Sequence, residues 1–580
     1  MRTSTSQSQS QSQSQSPNPR AWAAWPALLY AALPLAAFVY LYGLGCTEIP
    51  ANGDEFVYLH IARQTALSGH WLPLRSELPG MQDTKPPLLF WQAMAAGSGQ
   101  WTLGALRLPS VLYTLVSAAL AAVMAYRLSG RGERGAWAAL FYLGCFATYR
   151  YGRPLLTDPP ETTWLLVPLT AVVLSRGRLF ESRVVAPLAV GLCLGLANLY
   201  KSFALALPAG LALVGWLWVY RRHGAASAGD RRWARAWPAD AAWIALALGT
   251  GVAVFGLWFA VDPDPGRVWR EFVVGENAGK FHSGGGYVAG LLVGGSSVFS
   301  LALATIANGG LLAPLLVALV VDAWRRRRSL SQGERFLWVW VIALFLAFSL
   351  PAQRSGRYLL PAMPALAVLA ALAWDRLGVI AVRASAVLLL LTGTALVLLG
   401  AAAARELSPL LVLEPTFWVG GVVCLGLAFG ALVNRRLGWL LPLSSLASLL
   451  MLGAFARSYD APPGAYSPAA RLAVAHQEVY VPGAFVSSEE AYRFLLPEAI
   501  VRRYESNDGL SPDALAARYA WFAVRLPADE PLRCGSCRVL GERLVMHGRQ
   551  TGSLPAALRA GRLVGELVSR EYLIESQVVR

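Results

Sequence analysis

The chain has 580 residues, 56% of them apolar and only 14% charged, with a mean hydropathy of +0.46. A soluble chain carries about 25% charged residues, so the composition excludes an ordinary soluble enzyme, a disordered protein and a coiled coil, and points to a polytopic membrane protein. The formal charge of +16 does not indicate a nucleic-acid binder, because the basic residues sit in short clusters between apolar runs, such as Arg325 to Arg328, as the positive-inside rule places them, rather than on one soluble face.

Residues 1–25 open with a Ser/Gln repeat, a low-complexity stretch that cannot build a core and reads as a disordered cytoplasmic tail. The first apolar run, Pro26 to Leu44, is too long for a signal-peptide core and has no clear cleavage site, so it reads as a retained helix. The segment 45–100 follows as an outer loop, in which Val57 to Ser68 is predicted to lie as an amphipathic helix along the membrane surface. Later apolar runs fall near 104–127, 135–150, 161–175, 184–200, 203–220, 239–261, 289–323, 336–351, 358–374, 378–402, 416–433 and 438–456. Together they predict about thirteen spans over residues 26–456. The run 289–323 contains Asn308-Gly309-Gly310 and reads either as one broken helix or as a re-entrant piece followed by a span.

Every second loop is dense in Arg, from Arg131 and Arg134 through Arg176, Arg178 and Arg183, then Arg221 and Arg222, to Arg435 and Arg436. That alternation predicts a cytoplasmic N-terminus and an outer C-terminus. Residues 457–580 are richer in charge. They alternate short strand-like stretches (Val479–Val486, Ala499–Tyr504, Tyr519–Leu526, Arg538–Gly548) with helix-like ones (Glu489–Leu496, Ser511–Tyr519), as a small soluble α/β domain would. Within it Cys534-Gly535-Ser536-Cys537 is compatible with redox, metal and disulfide roles and is a disulfide candidate in an oxidising compartment; a zinc site would need two more ligands, and none stands nearby at good spacing.

Ionisable residues collect at the outer ends of the spans, where polar groups beside a bilayer tend to mark function. Asp54 and Glu55 are adjacent carboxylates at a helix start. Lys85 is fixed by Pro86 and Pro87 and suits a phosphate. Asp158 stands between Thr157 and two prolines, Lys201 lies at another outer turn, and Glu276, Asn277 and Lys280 follow in the next loop. Arg354, Arg357 and Tyr358 open a later span. Of the 50 basic residues only three are Lys, namely Lys85, Lys201 and Lys280, and all three fall on predicted outer loops.

These pieces carry a resemblance. Asp54-Glu55, Lys85-Pro86-Pro87 with Trp91, Arg107-Leu108-Pro109-Ser110, Thr157-Asp158-Pro159, Leu199 to Ser202, Glu276-Asn277 with Lys280-Phe281, and Arg357-Tyr358-Leu359-Leu360-Pro361 through Pro364 resemble, in order, the motifs of GT-C glycosyltransferases that use polyprenyl-phosphate sugars. Within that superfamily the chain resembles glycosyltransferase family 83, the lipid A aminoarabinose transferases, with protein O-mannosyltransferases as distant relatives. It departs from the family pattern at Asp83-Thr84 before Lys85, at Tyr200-Lys201-Ser202 and at Lys280.

The resemblance implies an α-helical GT-C fold in the bacterial inner membrane with a periplasmic C-terminal domain. It implies transfer, with inversion, of a sugar from undecaprenyl phosphate to lipid A or another envelope acceptor; a protein or polysaccharide hydroxyl acceptor, and a lipid-linked sugar flippase, are the alternatives. Asp54, Asp158 and Glu55 are then expected to be catalytic, and Lys85, Arg357, Tyr358 and Lys201 to bind the donor phosphate. Glu276, Asn277, Lys280 and Arg354 are expected to bind substrate. No metal or cofactor is required, since fixed cations replace the divalent ion of nucleotide-sugar enzymes, although a divalent ion outside the chemistry is compatible with the sequence. The expected partners are the polyprenyl-linked donor, the envelope acceptor and membrane lipids, with no nucleic acid.

Overall fold

A computed structural model describes residues 19–47, 53–228, 237–281, 287–460, 463–483, 489–505, 510–527, 530–546 and 568–579. The first half runs through α1 (Pro19–Leu41), α2 (Gly53–Leu67), α3 (Leu88–Gly97), α4 (Leu103–Ser129), α5 (Gly132–Gly144), α6 (Phe146–Gly152), α7 (Asp158–Leu174), α8 (Val185–Tyr200), α9 (Ala206–Ala228) and α10 (Trp237–Val261). The second half adds α11 (Pro265–Val268), α12 (Tyr287–Leu292), α13 (Val298–Ala307), α14 (Ala313–Arg325), α15 (Gln332–Ser349), α16 (Met363–Ala373), α17 (Val379–Glu406), α18 (Pro415–Val433) and α19 (Leu441–Asp460). The Ser/Gln repeat lies outside the described residues, and α1 begins at Pro19, seven residues before the predicted start.

Among the described residues, 8 helices are long and apolar enough to cross a membrane, or up to 9 if the bent pair α13–α14 is one span. The chain is a multi-pass membrane protein. Among the other predicted spans, Val185–Tyr200 is a shorter apolar helix, too short to cross the hydrocarbon unaided, whereas α1, at 23 residues, has the length of a span. The run containing Asn308-Gly309-Gly310 is broken there, with α13 and α14 bent by 99°; Gly310 has a φ of +58°, where a glycine is needed.

Helix ends are set by local chemistry. Thr102 accepts from the Ala105 N–H at the start of α4, and Gly130 closes that helix in the left-handed conformation. Ser331 and Glu334 form a reciprocal capping box on α15. The helix α5 is buried along its length and packs on α4, α16 and α1. That approach is close because Gly135 has no side chain: a Cβ there would sit 2.8 Å from the Ala122 carbonyl oxygen. Small residues at such contacts are how membrane helices pack without a hydrophobic drive between them. The Arg-rich ends of α5, α14 and α16 meet on one side, where Arg134 pairs with Asp375, and Arg326 and Arg376 reach Asp322 and Glu334.

The segment Val57 to Ser68 is helical to Leu67, within α2, and much of it is covered by protein. Val57, Tyr58, Leu59, His60, Ile61 and Ala62 are all buried, because α2 packs against α3 on one side and against the C-terminal domain on another. That domain is a five-stranded mixed sheet, β1 (Glu478–Gly483), β2 (Ile500–Glu505), β3 (Trp521–Pro527), β4 (Cys537–Met546) and β5 (Val568–Ser576), in the order β2-β1-β3-β5-β4. The pairs β1/β2 and β1/β3 are parallel, and β3/β5 and β4/β5 antiparallel. Its helices are α20 (Pro468–Ala473), α21 (Glu489–Leu495) and α22 (Pro512–Ala516). Cys534 and Cys537 form a disulfide, while Cys46, Cys145, Cys193 and Cys424 are free.

Candidate active site

Opposite the Arg-rich ends, the start of α7, the end of α8 and the turn before α16 surround a cavity of about 910 Å³. Its walls include Asp54, Tyr58, Thr84, Lys85, Asp158, Lys201, Ser202, Glu276, Asn277, Arg357 and Tyr358. Residues as far apart in the chain as 54 and 358 therefore face one space of the size that small-molecule sites occupy.

Arg357 is the hub. Its Nη1 lies 2.5 Å from Asp54 Oδ2, and its Nη2 lies 2.6 Å from Asp158 Oδ2. Its guanidinium also stands over the Tyr151 ring, 5.4 Å from the centroid. Lys201 Nζ lies 3.2 Å from Asp158 Oδ1 and 2.5 Å from Glu161 Oε2, and 5.3 Å from the centroid of the Tyr358 ring. Lys85 Nζ lies 2.5 Å from Glu276 Oε1 and 6.0 Å from the centroid of Tyr58. Each cation is thus aimed into the cavity by a carboxylate and an aromatic face, a preorganised electrostatic frame.

The backbone explains these placements. Asp158 opens α7 with Pro159 and Pro160 in its first turn, where proline's fixed φ favours helix entry. Glu276 and Asn277 end a π-helical stretch, Trp269–Asn277, a rare geometry that tends to occur at functional sites. Asn277 donates to the Phe272 carbonyl and accepts from Ser202 Oγ at 2.7 Å. Arg357 follows Gly356, whose carbonyl accepts from Asn308 Nδ2 at 2.8 Å, so the break between α13 and α14 fixes the turn that carries the arginine. The loop ahead of Lys85 is pinned by buried Asp83, which pairs with Arg267 Nε at 2.7 Å. Burial pushes the Asp83 carboxyl up to about 6, with Arg267 pulling against the rise.

Two expected site residues are elsewhere, and Lys280's side chain lies outside the described residues. Glu55 is fully buried and makes a two-pronged pair with Arg107, Nε to Oε1 at 2.7 Å and Nη2 to Oε2 at 2.8 Å. It also accepts from the Leu155 N–H and so does not face the cavity. Helical geometry is the reason: a step of about 100° per residue turns neighbouring carboxylates to different sides. Arg354 also faces away from the cavity, donating to the carbonyls of Ser349, Gly290 and Ser296, and braces the loop before Arg357.

Glu161 and Tyr58 were not among the expected site residues. Glu161 lies three positions after Asp158, which puts both carboxylates on one face of α7; that spacing was the available signal. Among the described residues, no group of three or more His, Cys, Asp or Glu is arranged to hold a metal ion.

Comparison with solved structures aligns the chain to ArnT from Cupriavidus metallidurans bound to undecaprenyl phosphate, with a TM-score of 0.56 at 17% identity, over 87% of this chain and 93% of that one. The chain has the ArnT fold. Its architecture is an apolar helical domain with a small C-terminal α/β domain. No family model matches the chain. In sequence it is 27% identical over 363 residues to an undecaprenyl phosphate-alpha-4-amino-4-deoxy-L-arabinose arabinosyl transferase of Erwinia tasmaniensis, covering 59% of this chain and 58% of that protein. It is 30% identical over 327 residues to a like-named enzyme of Sodalis glossinidius, covering 55% and 54%. The ArnT-like match thus spans a little over half the length of these relatives.

Proposed function

We propose that the chain is an inverting membrane glycosyltransferase that moves a sugar from undecaprenyl phosphate to lipid A or a related envelope acceptor. It works in the bacterial inner membrane, with the N-terminus in the cytoplasm and the cavity and C-terminal domain on the periplasmic side. The observation that carries this reading is the bracket of Arg357 by Asp54 and Asp158 in the cavity that also holds Lys85 and Lys201. The names of the sequence relatives support the donor and the transfer.

In the reaction, the bond between the sugar's anomeric carbon and the carrier phosphate oxygen breaks, and the electron pair leaves with the phosphate. Lys85 and Arg357 exchange part of their carboxylate contacts for that phosphate and stabilise its growing charge, with Tyr358 beside them. These fixed cations do the work a divalent ion does in nucleotide-sugar enzymes, so the step needs no metal. An acceptor oxygen attacks from the opposite face and the anomeric centre inverts. A lipid A phosphate is already anionic near neutral pH, so Asp54 positions it; a hydroxyl acceptor would need Asp54 as base. Asp158 orients the sugar while holding Arg357 and Lys201.

The test is transfer of radiolabel from an undecaprenyl-linked sugar to lipid A in membranes. Lys85→Ala and Arg357→Ala are each expected to lower the rate by about 10²–10³, the size of losing one strong charge-stabilising contact. Near-normal transfer by either variant removes that residue from the mechanism, and label that stays on the carrier in wild-type membranes refutes the enzyme.

A further inference from the structure

A second cluster of charge is buried away from the cavity, where α2 meets the C-terminal domain. Glu490, in α21, is fully buried. Its Oε1 lies 3.0 Å from Arg63 Nε, and its Oε2 lies 3.1 Å from Arg493 Nη1 and 3.5 Å from His60 Nδ1. His60, also fully buried, accepts at Nε2 from the Glu77 N–H at 3.1 Å. Arg493 Nη2 closes the ring 3.5 Å from Glu77 Oε2. Glu490 of the C-terminal domain therefore meets α2 directly and reaches the loop around Glu77 through its neighbours His60 and Arg493.

Both stretches line the cavity. Asp54 and Tyr58 stand on α2 less than two turns before His60, and Met81, Thr84 and Lys85 lie a few residues after Glu77. The same two stretches meet in the cavity itself, where Lys85 stands over the Tyr58 ring. Phe494, also in α21, packs on the apolar cluster of Val57, Tyr58, Leu59 and Ile61, so the ionic joint is sealed by hydrophobic contact. A buried charge that loses its partners is expensive, so the Glu490 carboxylate is tied to the ions around it.

We infer that Glu490 is a positioning residue of the transfer site, through which the C-terminal domain sets the spacing of Asp54 and Tyr58 against Lys85. The inference rests on the donor-phosphate role given to Lys85 above. It also assigns the C-terminal domain a part in the site, although none of its described residues lines the cavity.

The experiment uses full-length protein in nanodiscs and two readouts. In Glu490→Gln, amide hydrogen exchange is expected to rise at least fivefold in residues 53–67 and 75–86, and the Kd for undecaprenyl phosphate to rise about tenfold. In a double-mutant cycle with Lys85→Ala, the combined loss of affinity is expected to be smaller than the product of the single losses, because Glu490 acts through the Lys85 loop. Glu490→Asp is expected to recover part of the affinity. Unchanged exchange in both stretches would overturn the inference. So would an affinity within twofold of wild type, fully multiplicative losses in the cycle, or a Glu490→Gln protein that fails to fold, which assigns Glu490 to stability alone. Should wild-type protein not bind undecaprenyl phosphate, the donor reading fails, and the exchange measurement still decides the positioning role.

Discussion

At the scale of single residues, the carboxylates in and around this site are not equivalent. Asp54 is half-exposed to the cavity, whereas Glu55 is sealed against Arg107. Arg107 Nη1 also donates to the carbonyls of Leu44 and Cys46, so this pair holds the chain entering α2. Glu55→Gln leaves a buried guanidinium without its counter-charge, a loss of about 3–5 kcal/mol. It is expected to appear as a fall in melting temperature, with kcat in the surviving folded fraction little changed; a large kcat loss at unchanged melting temperature would restore Glu55 to the chemistry. Glu161 is different again. It shares Lys201 with Asp158, but of these two only Asp158 also pairs with Arg357. Glu161→Gln is therefore expected to slow transfer by about tenfold, and Asp158→Asn by about a hundredfold or more, a ranking that initial rates in membranes will check.

At the scale of elements, the position of Arg357 is set by a helix break. Asn308, at the break between α13 and α14, donates to the Gly356 carbonyl, and a Cβ on Gly356 would stand 2.5 Å from the Ala304 Cβ. Gly356→Ala is expected to push the turn away from α13, and with it the guanidinium. A displacement of this kind costs about a hundredfold in rate where geometry is preorganised. Transfer rates and the melting temperature together check this, since the expected loss falls on the rate more than on stability. The charged residues that line the cavity were legible in the sequence because Asp54, Lys85, Asp158, Lys201, Glu276 and Arg357 are charges at the ends of apolar runs, where a bilayer tolerates few. The facing of Glu55 and Arg354 was not legible. Adjacent residues on a helix or turn point in different directions, and periodicity does not fix the phase of a short polar loop. The π-helical turn that delivers Glu276 and Asn277 has no sequence signature of its own.

At the scale of the whole molecule, the chain divides into an apolar helical body and a charged sheet domain, and composition marks that division. Four of the five strands lie near the predicted strand-like stretches; β5 was missed because Arg570 and Glu571 interrupt its apolar pattern. Yet β5 is an inner strand, between β3 and β4, and Glu571 is fully buried within it. Glu571 Oε1 lies 2.6 Å from Arg543 Nε, and Oε2 lies 3.1 Å from Arg525 Nη2. Tyr466 and Tyr492 donate to it at 2.8 and 2.5 Å. Burial alone would push this carboxyl up, but the Arg543 and Arg525 guanidiniums and these hydrogen bonds outweigh burial and hold it at about 2. A carboxylate whose pKa is depressed on folding contributes stability that is complete above its ordinary value of 4.5. That stability is lost as pH falls from there towards about 2, because the unfolded chain takes up the proton first. Hydrogen exchange of β5 and α21 in the full-length protein is therefore expected to be steady between pH 7 and 5, after correction for the intrinsic exchange rate, and to rise below about 4.5. Glu571→Gln is expected to weaken the domain at pH 7 and to flatten this acid limb. An acid limb as steep in Glu571→Gln as in wild type would place the titrating group elsewhere in the domain. The same measurement bears on the cavity, because α21 is the element through which the sheet domain grips α2. If the domain loosens under acid, exchange in α2 is expected to rise with it, and donor binding to fall over the same pH range.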